Sequence, residues 1–348
     1  DEVQILGDKS RGVNVETLLT LISRAKPGQF IGLSAVLTEQ DGKALSEWLE
    51  VQLVRVPHRE KHLLYECRTP TKRLTFHTEM PDQGISEEPH QPDTATELQA
   101  LIHECMDANG GKLIVVFCMR KQDIYDGCTN YCLSKGYNLE NAPLLEGLSQ
   151  GTTEAEFLSA TMPHRVAIHC ADLVEEDRLK VEEAIKNGDV DLVFATSTLA
   201  AGVNFPLGTA IFYSWERWNF ERRRREPILA SEFHNMAGRC GRMGAEHESG
   251  RVIFLANDKF HHKSVVRDFL NPVHLDTLES QVSPDHFTPL VLQLAASNVV
   301  DGEDDALTFL KATFSASREL QVNAAGLDHW DEPFQKAVAS LREWSFLR

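Results

Sequence analysis

The chain has 348 residues, a 42% hydrophobic share and a formal charge of −17, set by 52 acidic against 35 basic side chains. That length carries a substantial core in two to three domains, and the acidic balance argues against a uniformly basic surface. There is no apolar run of about 18 residues and no secretory signal, which leads to the expectation of a soluble, cytoplasmic or nuclear protein with no membrane partner.

From the amino end, Asp1 and Glu2 precede an amphipathic helix with Val15, Leu18, Leu19 and Ile22 at helical spacing. A strand over 29–33 follows and ends in Ser34, Ala35 and Val36. Leu45, Trp48 and Leu49 mark a short helix face, and 51–56 and 63–65 read as strands leaving a first domain that closes at residue 68. Pro70, Pro81, Pro89, Pro92 and Gly84 make 69–96 a connection, with one extended stretch near 74–76. Leu98, Leu101, Ile102 and Cys105 form a helical face ended by Gly110 and Gly111, and 112–117 is a buried strand. A strand near 167–170, an acidic helix with Arg178, Val181 and Ile185, a strand over 190–194 and a closing strand over 251–255 come next. This alternation predicts a doubly wound parallel sheet of α/β class. Beyond it, helices are expected near 290–298, over 304–314 with Leu307, Leu310 and Phe314 inward, and from Pro333 to Trp344.

The strand over 190–194 stops at Ala195, Thr196, Ser197 and Thr198, with Gly202, Asn204 and Pro206 after it. Arg239 and Arg242 stand three apart beside Gly238 and Gly241. On a helix they would share a face, and the guanidinium fork matches phosphate oxygens; the alternative is a solvated, glycine-broken helix end. Asp1 could hold Mg²⁺ through its water shell and Glu2 could orient an attacking water, or the pair is an exposed acidic segment. Tyr213, Trp215, Trp218 and Phe220 interleave with arginines up to Arg225. Such a stretch can stack on bases and bind phosphates, unless its arginines pair with Glu216, Glu221 and Glu226. His169 either touches a phosphate or closes a strand end. The seven cysteines include no CxxC pair; Cys128 and Cys132 suit one helix face, but no histidine cluster completes a zinc site.

TSTLAAGVNFP at 196–206 resembles motif V, and NMAGRCGR at 235–242 resembles motif VI, of superfamily-2 helicases of the Ski-type DExH branch. The opening DEVQ and Ser34-Ala35-Val36 resemble motifs II and III in the right order, and Phe117 with Arg120 sits where motif IV sits. The resemblance implies a partial first RecA-like domain (1–68), a linker (69–96), a complete second RecA-like domain (97–270) and a winged-helix-like domain with its wing cut off (271–348). It implies ATP and Mg²⁺ between two motor domains, the metal on Asp1. Gly202, Asn204, Asn235, Arg239 and Arg242 would join Asp1 around the nucleotide, and Glu2, Arg239 and Arg242 would carry catalysis. Thr196, Thr198, Arg120 and His169 would meet nucleic acid, with Ser34 coupling the two sites. The implied activity is ATP-dependent helicase or translocase action on single-stranded DNA rather than RNA, 3′ to 5′, with a protein partner in a repair or defence complex.

Three residues depart from the family: Gln4 replaces a histidine, Val36 a threonine and Asn235 a glutamine. No GxxxxGK[ST] segment occurs, so the expectation is a fragment that is inactive alone, since such a loop holds the phosphates. A non-catalytic nucleic-acid-binding or scaffold protein on a degenerate helicase fold is the alternative. A signalling ATPase indifferent to nucleic acid is a third.

Overall fold

The computed structural model describes residues 2–9, 11–56, 62–89, 98–108, 113–200, 207–219, 222–241, 249–256, 259–270, 275–323 and 326–347. The chain forms two compact units, Asp1–Val56 together with Leu275–Arg348, and Pro57–His274.

In the first unit, α1 (Gly12–Ala25) and α2 (Glu39–Trp48) are followed by extended chain. Thr38 caps α2 by accepting the Asp41 N–H, satisfying one orphan donor of its first turn. Leu19 faces the core as expected, but Leu18 is 57% exposed, so the buried stripe of α1 instead runs through Glu16, Thr17 and Thr20. The strands expected over 29–33 and 51–56 do not form; Ile31, Leu33, Val54 and Val56 are exposed, and no partner strand borders them among the described residues.

The second unit opens with β1 (His62–Arg68), β2 (Lys72–His77) and β3 (Ser86–Pro89). There follow α3 (Leu98–Ala108), β4 (Ile114–Phe117), α4 (Lys121–Ser134), α5 (Thr153–Thr161), β5 (Val166–His169), α6 (Glu175–Asn187), β6 (Leu192–Ala195) and β7 (Thr209–Phe212). A separate hairpin, β8 (Glu216–Asn219) with β9 (Arg224–Pro227), leads into α7 (Ala230–Ala237), β10 (Ser249–Leu255) and α8 (Lys259–Val265).

The main sheet runs β3-β2-β1-β10-β7-β4-β6-β5. From β1 to β5 every pairing is parallel; β2 and β3 add an antiparallel edge. The four-residue strands β4, β5, β6 and β7 are buried throughout, as expected for a parallel sheet covered on both faces. This is the doubly wound α/β architecture the alternation predicted.

The division at residues 68 and 96 is not the one the structure makes. β1 pairs in parallel with the whole of β10, from His62–Ser249 to Arg68–Leu255, so it belongs to the main sheet of the second unit. Among the described residues, the prolines of this segment stand at the ends of strands or between them, and Pro92 lies outside the described residues. Pro70 lies in the β1–β2 turn, where Thr69 Oγ1 accepts the Lys72 N–H at 3.0 Å, and Pro89 ends β3 at the sheet edge, where a missing donor costs nothing. A buried ion cluster ties these strands together. Glu66 of β1, fully buried, accepts from Arg68, Arg73 and Arg251 at 3.1 Å each. Burial alone would raise its pKa, but the hydrogen bond and charge of Arg251, then Arg73 and Arg68, outweigh it and hold the carboxyl below its usual range. Arg68 also donates to Glu104 of α3 at 2.7 Å.

The chain returns to the first unit as α9 (Phe287–Ala296), α10 (Glu303–Lys311), α11 (Phe314–Val322) and α12 (Asp331–Glu343). The helix expected over 304–314 is broken in two because Thr313 caps α11, its hydroxyl accepting the Ala316 N–H. Trp330, Phe287, Phe309 and Phe334 fill the core between these helices. Asp41, fully buried, accepts the Leu278 N–H at 3.0 Å and pairs with Arg318 of α11 at 3.0 Å.

Candidate functional site

Hydrogen-bond register places the ends of five parallel strands on one row. His169, Ala195, Phe117, Phe212 and Phe254 are successive partners across β5, β6, β4, β7 and β10. Just past this row lie Arg120, Thr196, Thr198, Tyr213 and Ser214, on the edge where open α/β sheets bind ligands. Backbone bonds fix the chain there: Thr196 N–H donates to His169 O at 3.1 Å, Cys118 N–H to Ala195 O at 2.8 Å and Tyr213 N–H to Phe117 O at 3.1 Å.

Of the residues expected to meet nucleic acid, Thr196, Thr198 and Arg120 share this edge. The two threonine hydroxyls are 2.8 Å apart, Thr196 half-buried and Thr198 exposed, at the start of a single turn over Ser197–Ala200. Arg120 precedes α4 and is braced by Asp123, its Nε donating at 2.8 Å, while half of its side chain stays exposed. His169 does not join them. It is 1% exposed, and burial pushes its imidazole below the ordinary value despite Glu182 at 3.5 Å. Its buried ring stands at the end of β5 beside Glu182 of α6.

The motif VI region is built differently from expectation. α7 ends at Ala237, with Gly238 as its cap, so Arg239 lies beyond the helix and not on a helical face. Its carbonyl accepts the Leu207 N–H at 3.3 Å, and Leu207 precedes β7. Arg239 therefore sits at the amino edge of the sheet, and the four residues of β7 put roughly 13 Å between the two edges. It is 7% exposed. Gly241 serves the backbone: it has φ +62°, and a Cβ there would stand 2.8 Å from the Gly250 nitrogen. Asn235 is half-buried in α7. Arg242, Gly202, Asn204 and Asp1 lie outside the described residues.

In the first unit, Glu2 and Ser34 are brought together through Gln4. The Gln4 amide donates to the Glu2 carboxylate and accepts from Ser34 Oγ at 2.5 Å. A residue noted only as a departure thus bridges the expected water-activating carboxylate and the expected relay. Val36, noted for its lost hydroxyl, is buried. Among the described residues no group of three His, Cys, Asp or Glu side chains could hold a metal ion, and none of the described helices is long and apolar enough to cross a membrane.

Sequence reading missed the β8–β9 hairpin and its arginine assignments. Glu226 takes Arg222 at 3.0 Å and Arg224 at 2.9 Å, as the pairing alternative held. Arg223 and Arg225 make no ion pair among the described residues, and Trp218 is 52% exposed. Arg217 points elsewhere, to Glu232 at 2.9 Å and to Ser197 Oγ at 2.8 Å. The two charged runs, Glu216-Arg217 and Arg224-Arg225-Glu226, set on either side of the segment 219–223, were the available signal.

A largely parallel sheet of this topology, with polar residues gathered beyond its carboxyl edge, is that of a RecA-like helicase domain. Residues 96–244 match the family model of the helicase conserved C-terminal domain. The chain is 30% identical over 249 residues to the ATP-dependent DNA helicase Hel308 of Pyrococcus horikoshii, covering 70% of this chain and 32% of that protein. It is 26% identical over 325 residues to the Hel308 of Methanococcus vannielii (91% and 42%), and 24% identical over 355 residues to that of Thermoplasma volcanium (100% and 47%). The chain thus spans less than half the length of these curated relatives. The similarities support a superfamily-2 helicase.

Proposed function

We propose that the protein is an ATP-driven DNA translocase or helicase and that the second unit is the RecA-like domain that grips the strand. The observation that carries this reading is the single register row that delivers Arg120, Thr196 and Thr198 to one edge. Hydroxyls, backbone N–H groups and a half-exposed guanidinium there suit the phosphates of a single strand, which position without reading sequence. Trp218, Arg223 and Arg225 of the hairpin offer a stacking face and charge. The names of the relatives favour DNA over RNA. The Ski-type branch, the 3′-to-5′ sense, the winged-helix-like character of α9–α12 and a protein partner in repair or defence rest on the motif residues and their resemblance.

ATP supplies the free energy of the cycle when bound. Of this chain's residues, Glu2 would orient the attacking water, held by the Gln4 amide, and Arg239 and Arg242 would balance charge on the phosphates. Asp1 would hold Mg²⁺, which takes few protein ligands and keeps its waters. The chain contains no phosphate-cradling GxxxxGK[ST] segment, so it supplies only part of a nucleotide site. A non-catalytic strand-binding scaffold is the second reading, favoured by the burial of Arg239.

The test is ATP hydrolysis by the full-length protein with single-stranded DNA and RNA in parallel, beside Glu2→Gln. DNA stimulation that disappears in the variant supports the motor. Tight strand binding without hydrolysis would move the conclusion to the scaffold.

A further inference from the structure

Three segments that carry different tasks meet at one guanidinium. Arg217 lies in β8, and its fork grips the Glu232 carboxylate in the first turn of α7, one contact at 2.9 Å and a second, closer one. The same fork reaches Ser197 Oγ at 2.8 Å, in the turn between Thr196 and Thr198. The base of the hairpin is tied separately, Ile228 N–H donating to Trp215 O at 2.9 Å. Only a planar fork can serve a carboxylate and a hydroxyl at once in fixed directions.

α7 is suited to carry a displacement. Its inner face, Phe233, Met236 and Ala237, is buried, with Phe233 packed on Phe212, Phe254 and Phe269 at 4.8–5.0 Å between ring centroids. From Glu232 to its end at Ala237 it covers about 8 Å, running from the strand-gripping edge toward the edge where Arg239 sits, two residues beyond the helix. The Arg217 side chain is 44% exposed and that of Glu232 is 26% exposed. A pair so exposed contributes little to stability, so its value to the fold is small.

We propose that Arg217 is a positioning residue that couples strand contact at the Thr196–Thr198 turn and the hairpin to the placement of Arg239. The inference rests on the translocase reading above. When a strand shifts the turn or the hairpin, the shared fork moves α7 with them, and α7 carries Arg239.

The test uses the full-length protein with Arg217→Ala, Arg217→Lys, Glu232→Gln and the Arg217→Ala/Glu232→Gln pair. The expected result is unchanged basal hydrolysis, unchanged KM for ATP and strand affinity within about twofold, with the DNA-stimulated kcat reduced about tenfold. Arg217→Lys should fall almost as far, because an ammonium keeps the charge but not the fork. The double variant should lose no more than either single one, as residues in one contact are non-additive. Stimulation at the wild-type level in Arg217→Ala and Glu232→Gln would overturn the inference while leaving the translocase standing. Equal loss of basal and stimulated rates, or loss of strand affinity, would overturn it in favour of a structural or a binding role. No stimulation of the wild-type protein would remove both readings.

Discussion

Glu16 makes a sharp test of the energetics of the first unit. The carboxyl is fully buried in α1, with Oε2 accepting from Ser280 Oγ at 2.6 Å and Oε1 accepting the Ser315 N–H at 2.8 Å in the first turn of α11. Burial pushes its pKa up from 4.5 to about 7, and the hydrogen bonds from Ser280 and Ser315 only partly oppose this. Because the folded value exceeds the unfolded one, the native state binds the proton more tightly. The resulting stability is fully present below 4.5 and is lost as pH rises through about 7. At 1.36 kcal/mol per tenfold change in proton affinity, the loss is on the order of 3 kcal/mol. Glu16→Gln removes the titration and keeps an acceptor for Ser315, with a donor toward the Ser280 hydroxyl. Urea unfolding of both proteins should give stabilities within about 1 kcal/mol of each other near pH 5. Near pH 8.5 the variant should be the more stable by about 1–3 kcal/mol. Parallel pH profiles, or a variant less stable near pH 8.5, would refute the reasoning.

The buried ion cluster should respond in the opposite sense. Glu66→Gln leaves Arg68, which is 1% exposed, with Glu104 as its one remaining carboxylate and removes the charge facing Arg73 and Arg251; it is expected to cost about 3–5 kcal/mol in the same urea assay. Gly127→Ala sets a helix-propensity gain of about 1 kcal/mol against a Cβ placed 2.9 Å from the Phe194 ring. Overpacking of about 1–3 kcal/mol should win, lowering the midpoint of thermal unfolding. Arg239→Ala in the full-length protein should reduce ATP hydrolysis by about 10³-fold and leave strand affinity intact by fluorescence anisotropy, since Arg239 and Thr196 occupy opposite edges of the sheet. Thr196→Val should weaken strand binding several-fold and leave basal hydrolysis unchanged.

The doubly wound sheet was legible because its strands are short, apolar and regularly interrupted by helical periodicity. The edge carrying Thr196, Thr198 and Arg120 followed from that topology. What escaped depends on partners distant in sequence. Nothing local to 62–68 says that it pairs with 249–255, since its apolar alternation suits any sheet, and Glu66 and Arg68 look like surface charges until Arg251 and Glu104 are brought beside them. Arg239 and Arg242 read as one helical face because their spacing permits it; Gly238 ends the helix first, and Gly241 is needed for a backbone approach to Gly250. His169 looks like a polar strand end in sequence, and only the fold shows it buried beside Glu182 of the helix that follows. Gln4 and Arg217 carried no signal of their own, since an amide and a guanidinium acquire meaning only from what they touch.

The parallel pairing of β1 with β10 bears on how the strand-gripping half could be produced by itself. A recombinant piece beginning at residue 97 would match the family model almost in full and yet lack the strands that cover β10. Seven consecutive residues of β10, Ser249–Leu255, would then lose their β1 partners, and Arg251 would lose the Glu66 carboxylate. An apolar strand left open in this way is a template for self-association. Starting the piece near residue 62 would carry its own edge protection, ending in β3 with Glu87, Glu88 and Pro89, and should yield a monomer where the shorter version precipitates.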